Sequence, residues 1–255
     1  MWSQERHQKI MSLLQTSQQI STDHLAESLG VSRETVRRDL LELEEQGHIR
    51  RVHGGAVLPD PMPEEPFQKR MSLKSREKKV IARAAAGLIK PGQSIFVDAG
   101  TTTSALALEL AKAGRISVIT NSFDIASTLR RAKKDVDVVL LGGKIVSDVP
   151  GTYGELTLSE IARFQVDIAF LSSVSVSAEQ GAADFDLHEA EVARAMSEHA
   201  EKIVVLADSS KLGLTSRVQY CPCERINTLV TDHGAAPEVI SALERAGIGR
   251  VVTAA

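Results

Sequence analysis

The sequence has few cysteines and no long apolar run, and each absence excludes a class of protein. Its 255 residues include 2 cysteines, too few for the disulfide framework of a small secreted scaffold, so a reducing cytoplasm is the expected location. No run of about 18 uncharged apolar residues occurs, which predicts that no segment spans a membrane. The opening stretch, MWSQERHQKI, carries charge and lacks the apolar region of a signal peptide.

The chain also lacks an excess of positive charge. Lys and Arg number 30 against 33 Asp and Glu, for a net charge of −3, whereas a protein that coats nucleic acid is strongly basic. Any DNA binding must therefore come from a local cluster of Arg and Lys. Hydrophobic residues make up 43% of the chain, which suffices for a full core.

A proline-rich stretch, AVLPDPMPEEPF, divides the chain into two parts. Its prolines are Pro59, Pro61, Pro63 and Pro66, and they remove backbone donors and favour extended geometry. We therefore predict a small domain at 1–58, a semi-rigid linker at 59–70 and a larger domain at 71–255. Neither part contains an internal repeat or a low-complexity tract.

The first part has the element order of a winged helix-turn-helix. Helical patterns occupy residues 4–16, a stretch from Ser21 or Thr22 to Leu29, and residues 33–46. Ser32 is well placed to cap the third helix. The pair Gly54-Gly55 can then supply the positive φ angles of a tight hairpin.

The third helix of this part presents a polar face that suits DNA. Winding it at about 100° per residue places Val36, Leu40 and Leu43 on one side as the buried stripe. Arginines on the opposite face can bridge guanine edges or clamp phosphates. The predicted DNA contacts are Ser32, Arg33, Glu34, Thr35, Arg37 and Arg38 on the helix, and Arg50, Arg51 and His53 in the hairpin. The alternative is a structural three-helix module with a charged, solvated face, but the confinement of the arginines to one helix face and the wing favours DNA binding.

The second part alternates strands with helices, which predicts a mostly parallel sheet covered on both faces. The predicted helices are 75–89, 103–113, 123–132, 155–164, 187–200 and 237–246. The predicted strands are 94–98, 116–120, 136–141, 166–171, 202–208, 226–232 and 250–254. Ligands of such sheets sit at the carboxyl ends of the strands, so the polar residues there are the candidate site.

Five polar strand ends and helix starts converge in this arrangement. Carboxylates and Asn suit hydroxyl groups, while Lys211 and a threonine cradle at a helix start suit a phosphate. Together they predict a site for a small phosphorylated polyol or sugar, although each motif taken alone is weak. The candidate residues are Asp98, Gly100, Thr101, Thr102, Thr103, Asn121, Gly142, Gly143, Lys144, Asp186, His188, Glu189, Asp208 and Lys211. For His188, contact with the ligand is favoured over a role as a base or a cap.

Both parts resemble the DeoR family of bacterial transcription regulators. The stretch VSRETVRRDLLELEEQGHIRRVHGGA resembles the recognition helix and wing of the family. The pieces FVDAGTTT, VITNS, LLGG and LADSSKLG resemble its sensor domain, a relative in fold of ribose-5-phosphate isomerase and the CoA transferases. The resemblance implies that Arg33, Thr35, Arg37 and Arg38 contact DNA and that Gly154 and Glu155 belong to the sensor site. It also implies that a phosphorylated sugar relieves DNA binding. The stretch DFDLHEAEVARAM is most similar to the glycerol-3-phosphate regulator branch, so glycerol 3-phosphate is the first candidate.

The predicted fold class is therefore α/β, with an N-terminal winged helix-turn-helix and a larger α/β sensor domain. The predicted function is that of a homo-oligomeric repressor of a carbohydrate or polyol catabolic operon, released from its operator by a phosphorylated effector. No cofactor and no metal are predicted, because Cys221-Pro222-Cys223 has no second ligand pair. The rival interpretation is a sugar-phosphate isomerase with Glu189 or Asp98 as base and Lys211 steadying an enediolate. The fused DNA reader, which an isomerase does not need, argues against it.

Overall fold

The computed structural model describes residues 3–17, 19–45, 49–52, 54–57, 65–112, 114–132 and 135–255. The chain forms two compact units, Met1–Met62 and Pro63–Ala255. We call them the small unit and the large unit.

The small unit is a winged helix-turn-helix, as predicted. Its elements are α1 (Ser3–Ser17), β1 (Gln19–Ser21), α2 (Thr22–Leu29), α3 (Arg33–Glu45), β2 (Arg50–Val52) and β3 (Gly55–Val57). Strand β1 was not predicted. It pairs antiparallel with β3, which also pairs antiparallel with β2, so the wing is part of a three-stranded sheet.

Local side chains set the helix ends of the small unit. The Ser21 hydroxyl accepts a hydrogen bond from the backbone N–H of His24 at 3.1 Å and starts α2. Gly30 ends that helix in the left-handed conformation, with φ of 66°. The Ser32 hydroxyl accepts from the Thr35 N–H at 3.1 Å, which confirms Ser32 as the cap of α3.

The two glycines of the hairpin have different roles, which corrects one prediction. Gly54 has the expected positive φ, at 80°, but Gly55 does not. A Cβ atom on Gly55 would collide with the carbonyl oxygen of Ile20, so Gly55 is needed because β1 approaches it closely. His53 lies outside the described residues.

Helix α3 is held by its buried apolar stripe and by an ion pair on a neighbouring face. Val36, Leu40 and Leu43 are buried together, which confirms the predicted stripe. On a neighbouring face, Arg6 of α1 donates two hydrogen bonds to Asp39, at 2.7 and 2.8 Å. Because the Asp39 side chain is only 2% exposed, this bidentate pair sets the rotation of α3 against α1.

The large unit is built on a sheet of seven parallel strands. Its helices are α4 (Phe67–Ser72), α5 (Ser75–Ala86), α6 (Thr101–Leu110), α7 (Phe123–Arg131), α8 (Glu155–Ile161), α9 (Leu187–Glu198) and α10 (Pro237–Arg245). Its strands are β4 (Ser94–Val97), β5 (Ile116–Thr120), β6 (Val136–Leu140), β7 (Val166–Ser172), β8 (Ser175–Ser177), β9 (Gly181–Asp184), β10 (Ala200–Leu206), β11 (Val218–Cys221), β12 (Thr228–Asp232) and β13 (Val251–Ala254).

The strand order places a topological switch point in the middle of the sheet. The order is β13-β12-β10-β7-β4-β5-β6, so the chain runs outward from β4 through β5 and β6 and then returns to β7 on the other side of β4. One apolar core packs α5, α6 and α7 on the sheet, and a second packs α8, α9 and α10 on it. The predicted α/β class is confirmed, and the crevice outside β4 and β7 is the expected ligand position.

The structure adds elements that the sequence did not indicate. Helix α4 begins at Phe67, so the predicted extended linker 59–70 is wrong at its end, where Pro66 precedes the first helical turn. Strands β8, β9 and β11 form a separate three-stranded antiparallel sheet. Several predicted helices also end early; α5 stops at Ala86 rather than 89. Within the described residues, no helix has the length and apolar character needed to cross a membrane.

We expect the substitution Leu40→Ala to destabilise the small unit by about 2–5 kcal/mol, because Leu40 is 2% exposed in its core. The matched control is its neighbour Leu41→Ala, which should change stability by no more than about 0.5 kcal/mol, since Leu41 is 42% exposed. Scanning calorimetry of the full chain measures both. Equal effects of the two substitutions would contradict the assigned helix face.

Candidate functional site

The first candidate site is the exposed face of α3 with the adjoining wing. Ser32, Arg33, Glu34, Arg37 and Arg38 are exposed and Thr35 is half-buried. Arg51 is also exposed, and only the backbone of Arg50 is described, in β2. The described members of the predicted set therefore share one surface of the small unit.

Ion pairs preset the arginines of this surface. Arg33 pairs with Asp23 of α2 at 2.7 Å, and Arg38 lies 3.9 Å from Glu34 on its own helix. Arg51 binds Glu44 of α3 through both its backbone N–H and its guanidinium, at 2.9 and 2.8 Å. Exposed pairs of this kind are weak, so Arg33 and Arg38 can exchange their carboxylate partners for phosphate at little cost.

The second candidate site lies at the switch point of the large sheet. Asp98 follows β4 and Ser172 ends β7, and one carboxylate oxygen of Asp98 accepts from the Ser172 N–H at 2.8 Å and its hydroxyl at 3.3 Å. Gly100 permits this approach, because a Cβ atom there would collide with the Ser172 hydroxyl. The loop from Asp98 to Thr101 thus forms the floor of the site.

A small cavity opens on one side of this floor, and we call it the carboxylate cavity. It is lined by Asp98, Ala99, Asn121, Tyr153, Asp184, Glu189 and Val192. It encloses about 10 Å³, which is the size of one water molecule or one hydroxyl group. Three carboxylates and two further polar side chains therefore surround a volume that fits a single hydroxyl.

Three polar atoms of this cavity are buried and lack a hydrogen-bond partner within the described residues. They are the second carboxylate oxygen of Asp98, the side-chain oxygen of Asn121 and the Tyr153 hydroxyl. Buried polar atoms without partners cost stability, and native proteins have few of them. Their convergence from three separate segments makes this cavity a candidate binding site.

The electrostatics of the cavity favour neutral, donating groups. Burial, reinforced by the nearby Asp184, raises the pKa of Asp98 to about 8, although the Ser172 N–H opposes the shift. Burial also raises the pKa of Tyr153, with Glu189, Asp98 and Asp184 adding to the effect. Near neutral pH both groups therefore carry a proton and can donate a hydrogen bond to a ligand oxygen.

A larger cavity is lined in part by Thr101 of the same loop, and we call it the cationic cavity. It encloses about 200 Å³ and is lined by Glu65, Arg70, Leu73, Lys74, Lys78, Thr101, Asp208, Ser210 and Lys211. Four cationic side chains face two carboxylates here. Asp208 already accepts from the N–H and hydroxyl of Ser210, so the excess charge available to a ligand is positive.

Two lysines of the cationic cavity are held by backbone carbonyls. Lys78 is only 5% exposed, and its Nζ donates to the carbonyls of Arg70 and Leu73. The Nζ of Lys211 donates to the Ser173 carbonyl at 2.7 Å. Both ammonium groups are thereby oriented at the start of α6, where the backbone N–H groups of the first turn also favour an anion.

Some predicted residues of the sensor site have structural roles or lie outside both cavities. Asp186 caps α9 by accepting from the N–H groups of His188 and Glu189. His188 is exposed and lines neither cavity. The Thr103 hydroxyl donates to the carbonyl of Gly100. The others outside the two linings are Thr102, which is buried in α6; Gly142, Gly143 and Lys144, in the segment after β6; and Gly154 and Glu155, at the start of α8.

The sequence analysis also missed residues that the structure places in the site. Arg70, Lys74 and Lys78 come from the basic run FQKRMSLKSREKK. Its positive charge could have indicated an anion site, but the run precedes the first strand of the large sheet and the prediction considered only strand ends and helix starts. Tyr153 comes from the segment between β6 and α8, and nothing in its local pattern singles it out.

The two parts of the chain match the two parts of one family. Residues 6–62 match the DeoR-like helix-turn-helix domain, and residues 73–233 match the DeoR C terminal sensor domain. The chain belongs to the DeoR family. Among its curated DeoR-family relatives, a glycerol-3-phosphate regulon repressor of Escherichia coli is 34% identical over 240 residues, or 94% of each chain. The HTH-type transcriptional repressor GlcR of Bacillus subtilis is 36% identical over 254 residues, covering 99% of this chain and 97% of its own.

Among solved structures, ribose 5-phosphate isomerase A of Methanocaldococcus jannaschii is similar to part of this DeoR-family chain. The match covers 54% of each chain at 19% identity, with a TM-score of 0.39. Similarity at this level carries no inference about activity.

The raised pKa of Asp98 predicts a pH dependence of stability. Because the folded state holds a proton on Asp98 up to about pH 8, while the unfolded chain releases it near pH 4, this group lowers the stability of wild type progressively as pH rises between these values. Asp98→Asn cannot ionise, so its stability relative to wild type should increase as pH rises from 5 to 8, as measured by thermal melts.

Asp167→Asn provides a control of opposite sign. The Ser94 N–H lowers the pKa of Asp167, so its stabilising contribution is present above pH 4 and is lost as pH falls below that range. Asp167→Asn should be less stable than wild type at neutral pH and should approach it in acid. A flat stability difference between Asp98→Asn and wild type would show that Asp98 is ionised in the folded protein.

Proposed function

We propose that this DeoR-family protein is a transcription repressor that binds operator DNA through α3 and the wing and is released by a phosphorylated sugar or polyol. The observation that carries the proposal is that one chain contains an arginine-bearing helix-turn-helix and a loop, Asp98 to Thr101, that contributes to both a hydroxyl-sized cavity and a cationic one. The names of its relatives support repression rather than activation.

The DNA contacts proposed are Ser32, Arg33, Glu34, Thr35, Arg37, Arg38, Arg50, Arg51 and His53. Arg37 and Arg38 suit guanine edges or phosphates, because both are exposed on α3, with Arg38 opposite the buried stripe and Arg37 flanking it. Arg51, whose guanidinium is tied to Glu44, suits a positioning contact to the backbone near the wing.

The effector proposed has a phosphate at one end and hydroxyl groups at the other. The phosphate would lie in the cationic cavity, on Lys211, Lys78 and the first turn of α6. A hydroxyl would enter the carboxylate cavity and satisfy the buried oxygens of Asp98, Asn121 and Tyr153. Glycerol 3-phosphate is the first candidate, since it has both parts and the relatives include glycerol-3-phosphate regulon repressors.

Repression by such a protein requires two recognition helices. We propose a homo-oligomer, a dimer or a tetramer, whose α3 helices enter successive major grooves about 34 Å apart. An effector would then favour a state in which that spacing is lost, by as much free energy as its difference in affinity for the two states. We propose that this protein acts in the cytoplasm.

The rival function, a sugar-phosphate isomerase, is less well supported. Its candidate base Asp98 is held by Ser172 and carries a proton near neutral pH, which suits a hydrogen-bond donor better than a base. Its other candidate base, Glu189, lines the carboxylate cavity, whereas Lys211 lines the cationic one. Measurable turnover of ribose 5-phosphate or a triose phosphate, lost in Glu189→Gln, would favour the enzyme.

We expect Arg38→Ala to weaken operator binding by about 1–3 kcal/mol, because it removes an exposed guanidinium from the DNA-facing surface of α3. Gel shifts with the promoter region of the protein's own gene measure the effect. Arg130→Ala, on α7 of the large unit, is the control and should leave affinity unchanged. Unaltered binding by Arg38→Ala would show that α3 does not read the operator.

We expect Lys211→Gln to weaken binding of glycerol 3-phosphate at least tenfold, because it removes a cation from the phosphate position. Operator binding without effector should be unaffected. Lys202→Gln is the matched control, since Lys202 is exposed near the opposite end of β10. Isothermal calorimetry measures the affinities, and equal affinities of the two variants would remove Lys211 from the site.

A further inference from the structure

Helix α4 is held against both cavities of the sensor site. Phe67 begins it and packs in a buried cluster with Ala99, which lines the carboxylate cavity, and with Val149. Arg70 near its end, and Leu73 directly after it, line the cationic cavity. A ligand in the carboxylate cavity would therefore contact Ala99, against which α4 packs. A ligand in the cationic cavity would contact Arg70 of α4 itself.

A strap of residues 144–153 holds α4 from the other side. Asp148 of the strap accepts the backbone N–H of Phe67 at 2.5 Å. The Ser147 hydroxyl reaches Glu189 of the carboxylate cavity at 3.5 Å, and the strap ends at Tyr153, another lining residue. The strap thus joins the anchor of Phe67 to the polar groups that face a ligand hydroxyl.

Two cations of the cationic cavity, Arg70 and Lys78, make contacts with α4 that a bound anion could replace. The guanidinium of Arg70 lies over the ring of Phe67, 5.7 Å from its centroid, and Lys78 donates to the carbonyls of Arg70 and Leu73. A phosphate in the cavity would attract both cations and compete with the ring and the carbonyls for them. Occupancy would thereby loosen the C-terminal end of α4.

The Phe67 cluster is small and distinct from the cores of the large unit. Phe67, Ala99 and Val149 form a cluster of their own, separate from the two large cores on the faces of the sheet. Loss of so small a cluster costs far less than opening a core. In the sequence, α4 is also the first described element after β3, the last strand of the wing.

We propose that Phe67 couples occupancy of the sensor site to operator binding. In the effector-free protein its ring, seated between Ala99 and Val149, holds α4 and so fixes where the chain leaves the large unit toward the wing. An effector that draws Arg70 and Lys78 and moves the strap releases this anchor. The inference rests on the proposed function, since it requires that an effector and an operator exist.

The test compares operator affinity with and without glycerol 3-phosphate in the full-length protein. In Phe67→Ala the ratio of the two operator Kd values should fall at least tenfold from the wild-type ratio, toward 1. The Kd for glycerol 3-phosphate itself, measured by calorimetry, should be equal to or lower than that of wild type, because the variant has no anchor for the effector to release. An unchanged ratio in Phe67→Ala, or loss of glycerol 3-phosphate binding, would overturn the proposal.

Two further variants separate coupling from general damage. Phe164→Ala removes another phenylalanine ring, a partly buried one just before the start of β7, at the opposite edge of the sheet from the site. It should keep the wild-type ratio. Asp148→Ala removes the acceptor of the Phe67 N–H from an exposed position, so it tests the anchor even if Phe67→Ala fails to fold. Its ratio should also fall, and a wild-type ratio there would overturn the proposal.

The wild-type measurement distinguishes the two levels of inference. If wild type binds the operator but no phosphorylated sugar or polyol, glycerol 3-phosphate included, changes that affinity, the proposed function fails and the coupling role of Phe67 fails with it. If wild type responds and Phe67→Ala responds equally, only the coupling role fails.

Discussion

The hydrogen bonds between Asp98 and Ser172, across the ends of β4 and β7, are the constraint on which the sensor unit depends. They join β4 and β7, the two strands at which the strand order reverses. They also bury a carboxyl group that has a hydrogen-bond partner for one oxygen and none for the other within the described residues. A buried carboxyl in this state keeps its proton near neutral pH. The site is thereby prepared as a hydrogen-bond donor before any ligand arrives, at some expense of stability.

The floor of the site also separates two kinds of chemistry within a few residues. Asp98 and Ala99 face a cavity of carboxylates and neutral polar groups, whereas Thr101 faces one of lysines and an arginine. A ligand with a phosphate and a hydroxylated arm satisfies both, while inorganic phosphate or a neutral polyol satisfies only one. The proposed selectivity for phosphorylated polyols or sugars would follow from this division, because leaving either half unmatched leaves buried polar or charged groups without partners.

In the DNA-binding unit, buried contacts on one side of α3 fix the helix, and its outer side is exposed. The buried stripe and the Arg6–Asp39 pair fix how α3 is rotated, and β1 supports the wing through its pairing with β3. The arginines on the outer face hold only exposed ion pairs. A fixed helix with exchangeable outer partners is what groove recognition requires, because the framework sets the register and the side chains remain free to bind.

The sequence by itself determined the winged helix-turn-helix, the alternating α/β pattern and the faces of α3, because periodicity and capping residues act over one or two turns of chain. It also indicated Asp98, Asn121 and Lys211, since the ends of parallel strands must meet at one edge, and Glu189 from a helix start. Only the tertiary structure decided that Tyr153 and Lys78 join them and that Phe67 begins a helix within a proline-rich stretch. Those placements depend on contacts between residues far apart in the chain, such as that of Phe67 with Asp148. Local sequence patterns do not predict such contacts.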